Sequence, residues 1–158
     1  MSGVVRIVSK VRLNPRFPLS QRELEVLSDL LLESLGLEGR TFSLTLVDDR
    51  EIALVNAEFL GCTGPTNILS FPDSGDADVE LVVADDDGSS LGELVLSVDT
   101  LARETELYGQ QPLEHLARLL AHGILHLAGF DHSDEMFDLT DGAVDRILLE
   151  YGDMDGGE

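Results

Sequence analysis

The most apolar stretch of the chain, Leu116 to Leu127, is broken by Arg118, His122 and His126. A membrane-spanning helix needs roughly 20 consecutive apolar residues, so this stretch is not one, and no other run comes closer. Two imidazoles four residues apart in an apolar-periodic segment predict a helix over Leu113 to Ala128, with both rings on one face. Gly129 then offers the positive φ that ends a helix and turns the chain. The rest of the fold has to be built around this helix.

Strand and helix patterns alternate on either side of it. Val4 to Val11 reads as a strand, and Ser20-Gln-Arg-Glu23 is a capping box opening a helix with Leu24, Val26, Leu27, Leu30, Leu31 and Leu35 near one face, ended by Gly36. Phe42, Leu44 and Leu46 alternate with polar residues as in a half-buried strand. Asp48 or Asp49 then caps a helix reaching about Leu60, with Ile52, Leu54, Val55 and Phe59 as its apolar residues. Asn67 to Pro72, Val79 to Ala84 and Leu91 to Val98 are strand-like, the last two flanking the turn-rich Asp85 to Ser90. Asp99 opens a helix to about Tyr108, and a last helix runs from Ser133 or Asp134 to about Tyr151. The expectation is a single domain over residues 1–158 with a frayed tail at 152–158. Its class is α+β in layers, a mixed sheet of four to five strands packed with about five helices.

The chain has 158 residues, 31 acidic against 10 basic, for a formal charge of −21. With 43% hydrophobic residues it can bury an ordinary core, so the charge does not signal disorder. A lone Cys62 and the lack of a charged-then-apolar leader point to the cytoplasm. The first 22 residues hold five basic groups and no acid, while residues 51–158 hold three basic against 24 acidic groups. A polyanion would therefore be met near the N-terminal end, at Arg6, Lys10 and Arg12 among others.

The chemistry is concentrated in His122-Gly-Ile-Leu-His126-Leu-Ala-Gly-Phe-Asp-His132. His122 and His126 share a helix face, and the turn after Gly129 brings His132 back toward them. Three imidazoles leave a fourth position open, the pattern of catalytic rather than structural zinc, so one Zn2+ per chain is expected. Metzincin proteases space their ligands in the same way, but they carry a glutamate general base after the first histidine. Here that position is Gly123, so a peptidase of that mechanism lacks its base.

At these residues the sequence closely resembles the YbeY family of bacterial endoribonucleases. The family hallmark His-Gly-x-Leu-His-Leu-x-Gly-(Tyr/Phe)-Asp-His is matched throughout, and Pro65-Thr-Asn-Ile-Leu-Ser-Phe-Pro72 and Leu91-Gly-Glu-Leu94 match two further blocks. The resemblance implies a zinc-dependent hydrolase of single-stranded RNA. It would act in maturation of the small-subunit ribosomal RNA and in ribosome quality control, with ribosomal proteins or an assembly GTPase as partners. The alternative is a non-catalytic, zinc-stabilised assembly factor. One departure bears on the choice: where the family usually has Tyr-Arg-Gly-Lys, its arginine thought to hold the scissile phosphate, this chain has Phe59-Leu-Gly-Cys62. Arg118, where many relatives carry a histidine, either supplies that positive charge or pairs with Glu114 four residues earlier.

Other residues carry two readings each. Asp131 accepts an imidazole N–H or caps the following helix. Ser70 and Phe71 line a substrate groove or are ordinary strand residues. Glu93 faces a cleft or solvent, Asn67 and Thr66 fix a turn or touch RNA, His115 binds phosphate or packs, and Cys62 reaches the metal or is a small apolar filler.

Overall fold

The computed structural model describes residues 5–10, 19–72, 90–109, 111–130 and 134–156. The elements run in the order β1 (Arg6–Ser9), α1 (Gln21–Ser34), β2 (Thr41–Val47), α2 (Asp49–Leu60), β3 (Ile68–Pro72), β4 (Ser90–Ser97), α3 (Val98–Tyr108), α4 (Pro112–Leu127) and α5 (Asp134–Gly156). The strand expected at Val79 to Ala84, the turn after it, and Arg12, Asp131 and His132 lie outside the described residues.

Among the described residues four strands form one sheet in the order β1-β2-β4-β3. β1, β2 and β4 are parallel, each pair separated in sequence by at least one helix, and β3 runs antiparallel to β4 with Ile68 opposite Leu96 and Phe71 opposite Glu93. The two central strands are buried on both faces, as parallel strands covered by helices must be. On one face Leu44, Leu46, Leu94 and Leu96 pack with Leu27 and Leu31 of α1, Leu116, Leu120 and Ile124 of α4, and Val144 and Ile147 of α5. On the other face Val47, Leu69 and Val95 pack with Ile52 of α2, and Val55 and Phe71 border them. The α+β class, the mixed sheet and the five helices are as expected.

The details show which local signals prevail. The capping box forms, Ser20 Oγ accepting from the Glu23 N–H at 3.2 Å and the Ser20 N–H donating to Glu23 Oε1 at 2.8 Å. Val26 and Leu54 do not join the core; both are exposed, because each lies two residues, about 200° of helix rotation, from a buried Leu24 or Ile52. Helix α3 begins one residue before Asp99 and its cap is Ser97, whose Oγ accepts from the Thr100 N–H at 3.2 Å. The strand β4 feeds the helix directly, and Asp99 turns instead to the backbone N–H of Asp49, 3.1 Å away. Helix α5 continues through Gly156, past Tyr151 and into the tail expected to fray.

Candidate metal centre and its surroundings

Helix α4 carries the site, and its sequence explains how it is held. Pro112 at its first turn needs no hydrogen-bond acceptor, and its apolar face, Leu116, Ala117, Leu120, Ile124 and Leu125, is wholly buried. At its C-terminal end Gly129 adopts φ 98°, its N–H donates to the His126 carbonyl at 3.0 Å, and the Phe130 N–H donates to the Leu125 carbonyl at 3.0 Å. These two bonds form a Schellman motif, so the direction in which the chain leaves His126 is fixed by backbone bonding.

His122 and His126 are half-buried, on the edge of α4 that the core leaves open. Their ring centroids lie 4.9 Å apart with planes inclined by 82°. Two imidazoles sharing one tetrahedral ion, with N–metal bonds near 2.1 Å, would place their centroids about 5 Å apart. The pair therefore fits a common ion. Among the described residues no group of three or more His, Cys, Asp or Glu side chains gathers around one point. The third expected ligand, His132, is outside them, as is Asp131. Cys62 is exposed, with its Sγ against the Leu60 carbonyl at 3.7 Å, and belongs to no such group.

Gly123 explains why the position after the first histidine carries no base. A Cβ there would sit 2.8 Å from Leu94 Cδ2 and 3.3 Å from Ile68 Cδ1. The residue faces the sheet and not the histidine edge. A glutamate at 123 would be driven into the core.

Helix α5 lies along α4 in a register of whole turns. Arg118 Nη1 donates to Asp141 Oδ1 at 2.6 Å, and one turn further along each helix the Phe137 ring lies 6.2 Å from that of His122 at an inclination of 32°. Arg118 also lies 3.8 Å from Glu114. Its guanidinium is thus shared between two carboxylates, the ion-pair reading of this residue.

The expected substrate residues are dispersed. Ser70 and Phe71 point to opposite faces of β3. Ser70 is on the α4 side, opposite Leu94, the residue that touches Gly123. Phe71 is on the α2 side, edge-on to Phe59 at 5.6 Å, where it packs with the smaller core. Arg6 is exposed on β1, and Lys10 reaches Glu51 of α2 at 3.8 Å. With β1 and β3 at opposite edges of the sheet, three strand spacings or about 14 Å separate them. Arg6 and Lys10 thus lie toward the edge of the sheet opposite β3. Glu93 is exposed and accepts from Thr45 Oγ1 at 2.8 Å across the two central strands.

Two polar networks were not legible beforehand. His115 is only 7% exposed, with Nε2 2.8 Å from Glu104 Oε1, and Asn67 Nδ2 donates to the same carboxylate at 3.2 Å. His115 is a packed residue that ties α4 to α3 and to the start of β3. Alongside, Asp49 Oδ1 accepts from Ser97 Oγ at 2.7 Å and Thr100 Oγ1 at 2.6 Å, and its Oδ2 accepts from Arg103. Burial pushes the Asp49 carboxyl up, but the hydrogen bonds from Arg103, Thr100 and Ser97 and the charge of Arg103 hold it below the usual carboxylate range. An open cleft of about 670 Å³, of mixed polar and apolar lining, is bordered by Thr66, Asn67, Arg103, Glu104, Leu107 and Tyr108. No described helix is long and apolar enough to cross a membrane.

The chain is similar to known proteins over most of its length. The family model of Endoribonuclease YbeY matches residues 16–148. The Endoribonuclease YbeY of Oleidesulfovibrio alaskensis is 44% identical over 79% of this chain and 81% of its own length. That of Nitratidesulfovibrio vulgaris is 46% identical over 84% and 88%. The solution structure of TM1509 from Thermotoga maritima superposes with a TM-score of 0.65 at 25% identity, covering 98% of this chain and 95% of that one. A family match over residues 16–148, with relatives 44% and 46% identical over most of the chain, shows that the chain belongs to the Endoribonuclease YbeY family.

Proposed function

We propose that this chain is a metal-dependent endoribonuclease that hydrolyses phosphodiester bonds of single-stranded RNA. Its role would be maturation of ribosomal RNA, at the 3′ end of the small-subunit RNA, and ribosome quality control in the cytoplasm. The observation that carries the reading is the His122–His126 pair, 4.9 Å between centroids on the open edge of an otherwise buried helix. His122, His126 and, from the sequence, His132 would hold one zinc ion, with Asp131 as an acceptor for an imidazole N–H. A zinc ion held there supplies a Lewis acid and a water acidified toward a pKa of about 7.

The chain's own residues do the rest. The Schellman turn and the packing of Gly123 hold both imidazoles still, so little reorganisation is needed when substrate arrives. Arg118, clamped by Asp141 and Glu114, acts by fixing α5 on α4. Ser70 is the expected substrate contact on the same sheet face. Ribosomal proteins or an assembly GTPase are the expected protein partners.

The rival reading, a non-catalytic zinc-stabilised assembly factor, is favoured by one observation. Leu60, where relatives usually carry arginine, ends α2 as an exposed apolar residue. Metal analysis and single-stranded RNA cleavage by wild type and His126→Ala separate the two. Stoichiometric zinc and zinc-dependent cleavage, both lost in the variant, are expected. Bound zinc without cleavage supports the assembly factor, and full zinc retention by His126→Ala overturns the site.

A further inference from the structure

We propose that Glu104 is a positioning residue for the reaction: by bridging Asn67 and His115 it fixes where β3 lies along α4, and so how RNA laid beside β3 meets the metal histidines. The proposal rests on the nuclease reading above. Glu104 Oε1 is 2.8 Å from His115 Nε2 and accepts from Asn67 Nδ2 at 3.2 Å. A carboxylate only accepts, so the His115 proton sits on Nε2. His115 Nδ1 is then a buried lone pair, and among the described residues it has no hydrogen-bond partner. An apolar side chain would fill the same space without leaving a nitrogen unpaired, so packing alone does not account for His115. The bridge to Glu104 does.

The bridge supplies what apolar contact cannot. β3 also touches α4 through Ile68, whose Cδ1 lies 3.3 Å from the place of a Cβ on Gly123, the neighbour of His122. Apolar contact is non-directional and lets a strand slide along a helix. His115 and Gly123 stand eight residues apart on α4, about 12 Å. A second, directional anchor at that distance fixes both the position and the angle of β3. The anchor is itself held: the Asn67 carbonyl accepts from the Ser97 N–H at 2.9 Å, and Glu104 belongs to α3, the helix that Ser97 caps. Ser70 follows on the same side of β3 as Ile68, so a slip at Asn67 would carry it away from its place relative to His122 and His126.

The test measures zinc content, steady-state cleavage of single-stranded RNA, amide exchange at Ser97 and the ring 15N shifts of His115 in wild type and variants. Glu104→Ala should lower kcat at least about tenfold with KM within about twofold, the split expected when reacting groups are misaligned and binding is kept. Its zinc content should stay at the wild-type level, its Ser97 amide should exchange faster, and its His115 should lose the pure Nε2–H signature. Glu104→Gln keeps an oxygen that accepts from both partners and should cleave within about threefold of wild type. Asn67→Asp sets two carboxylates against each other and should behave like Glu104→Ala. Adding Glu104→Gln to it should restore cleavage, since the amide then donates to the new carboxylate and still accepts from His115. This exchange of donor and acceptor decides the matter even where Glu104→Ala fails to fold. The proposal is overturned if Glu104→Ala cleaves like wild type, if its loss lies in KM or zinc content, if Glu104→Gln is as impaired as Glu104→Ala, or if the double variant is not restored. A wild type that holds zinc and cleaves no RNA overturns the nuclease reading and the positioning role with it, while the His115 shifts and Ser97 exchange still report whether the bridge forms.

Discussion

Arg118 of α4 and Asp141 of α5 meet at 2.6 Å, one helical turn from the contact between His122 and Phe137. The ion pair is thus a spacer for the site as well as a surface bridge. Both side chains are part-exposed, so its worth to stability is about 1 kcal/mol or less. Arg118→Ala and Asp141→Ala should each lower the urea-unfolding free energy by that small amount and, as partners, be non-additive in a double-mutant cycle. Both should affect RNA cleavage to a similar, modest degree. If Arg118→Ala reduces kcat/KM a hundredfold while Asp141→Ala does not, Arg118 contacts the phosphate and the spacer role is wrong.

Gly123 decides how closely α4 approaches the sheet. Alanine is intrinsically better in a helix by about 1 kcal/mol. Here, however, its Cβ would meet Leu94 at 2.8 Å, inside van der Waals contact, and overpacking of this kind costs about 1–3 kcal/mol. Gly123→Ala is expected to be net destabilising, and Gly123→Glu more so, without gain of peptidase activity. Chemical denaturation checks both. A stabilised Gly123→Ala protein would mean that Leu94 yields freely and that the helix is not pinned.

Much of this was legible along the chain because it is local. The period of α4, the helix-ending Gly129 and the Ser20–Glu23 capping box each depend on residues within a turn of one another. What was misread depended on position in space. Ser97 and Asp99 are both good caps, and only the direct junction of β4 with α3 assigns the role to Ser97. Asp49 and its partners Ser97, Thr100 and Arg103 are about fifty residues apart in sequence, so no motif links them. Nor does the pattern of Asn67, Glu104 and His115 point to a shared carboxylate before the fold assembles it.

Leu60 offers a test of the family departure. It closes α2 with its side chain 53% exposed, and Gly61 takes over the left-handed turn, so a longer polar side chain meets no steric barrier. A cation at a helix C-terminus is mildly favourable by itself. Leu60→Arg should leave the thermal midpoint unchanged or slightly raised. If the missing positive charge limits catalysis, it should raise zinc-dependent cleavage of single-stranded RNA about tenfold or more, the scale at which one placed charge acts on a developing anion. Unchanged cleavage would mean that this chain binds its scissile phosphate without a group at position 60.

Asp49 gives the fold a defined acid limit. Its folded-state pKa is lowered below the reference 3.8, because the bonds from Arg103, Thr100 and Ser97 outweigh the upward push of burial. A depressed carboxylate contributes stability that is fully present above its unfolded pKa, near 3.8, and disappears as the pH falls through the lower folded value. Asp49→Asn removes the charge and keeps the shape. The gap in unfolding free energy between wild type and this variant should therefore be constant from pH 7 to about pH 5 and narrow progressively below pH ~4. The two should converge once Asp49 is protonated in both the folded and unfolded wild type. Since all other acids titrate alike in the two proteins, the difference isolates this residue. A gap that persists undiminished at the lowest pH at which both still fold would show that the network of Ser97, Thr100 and Arg103 is held by shape and hydrogen bonding, with no contribution from the Asp49 charge.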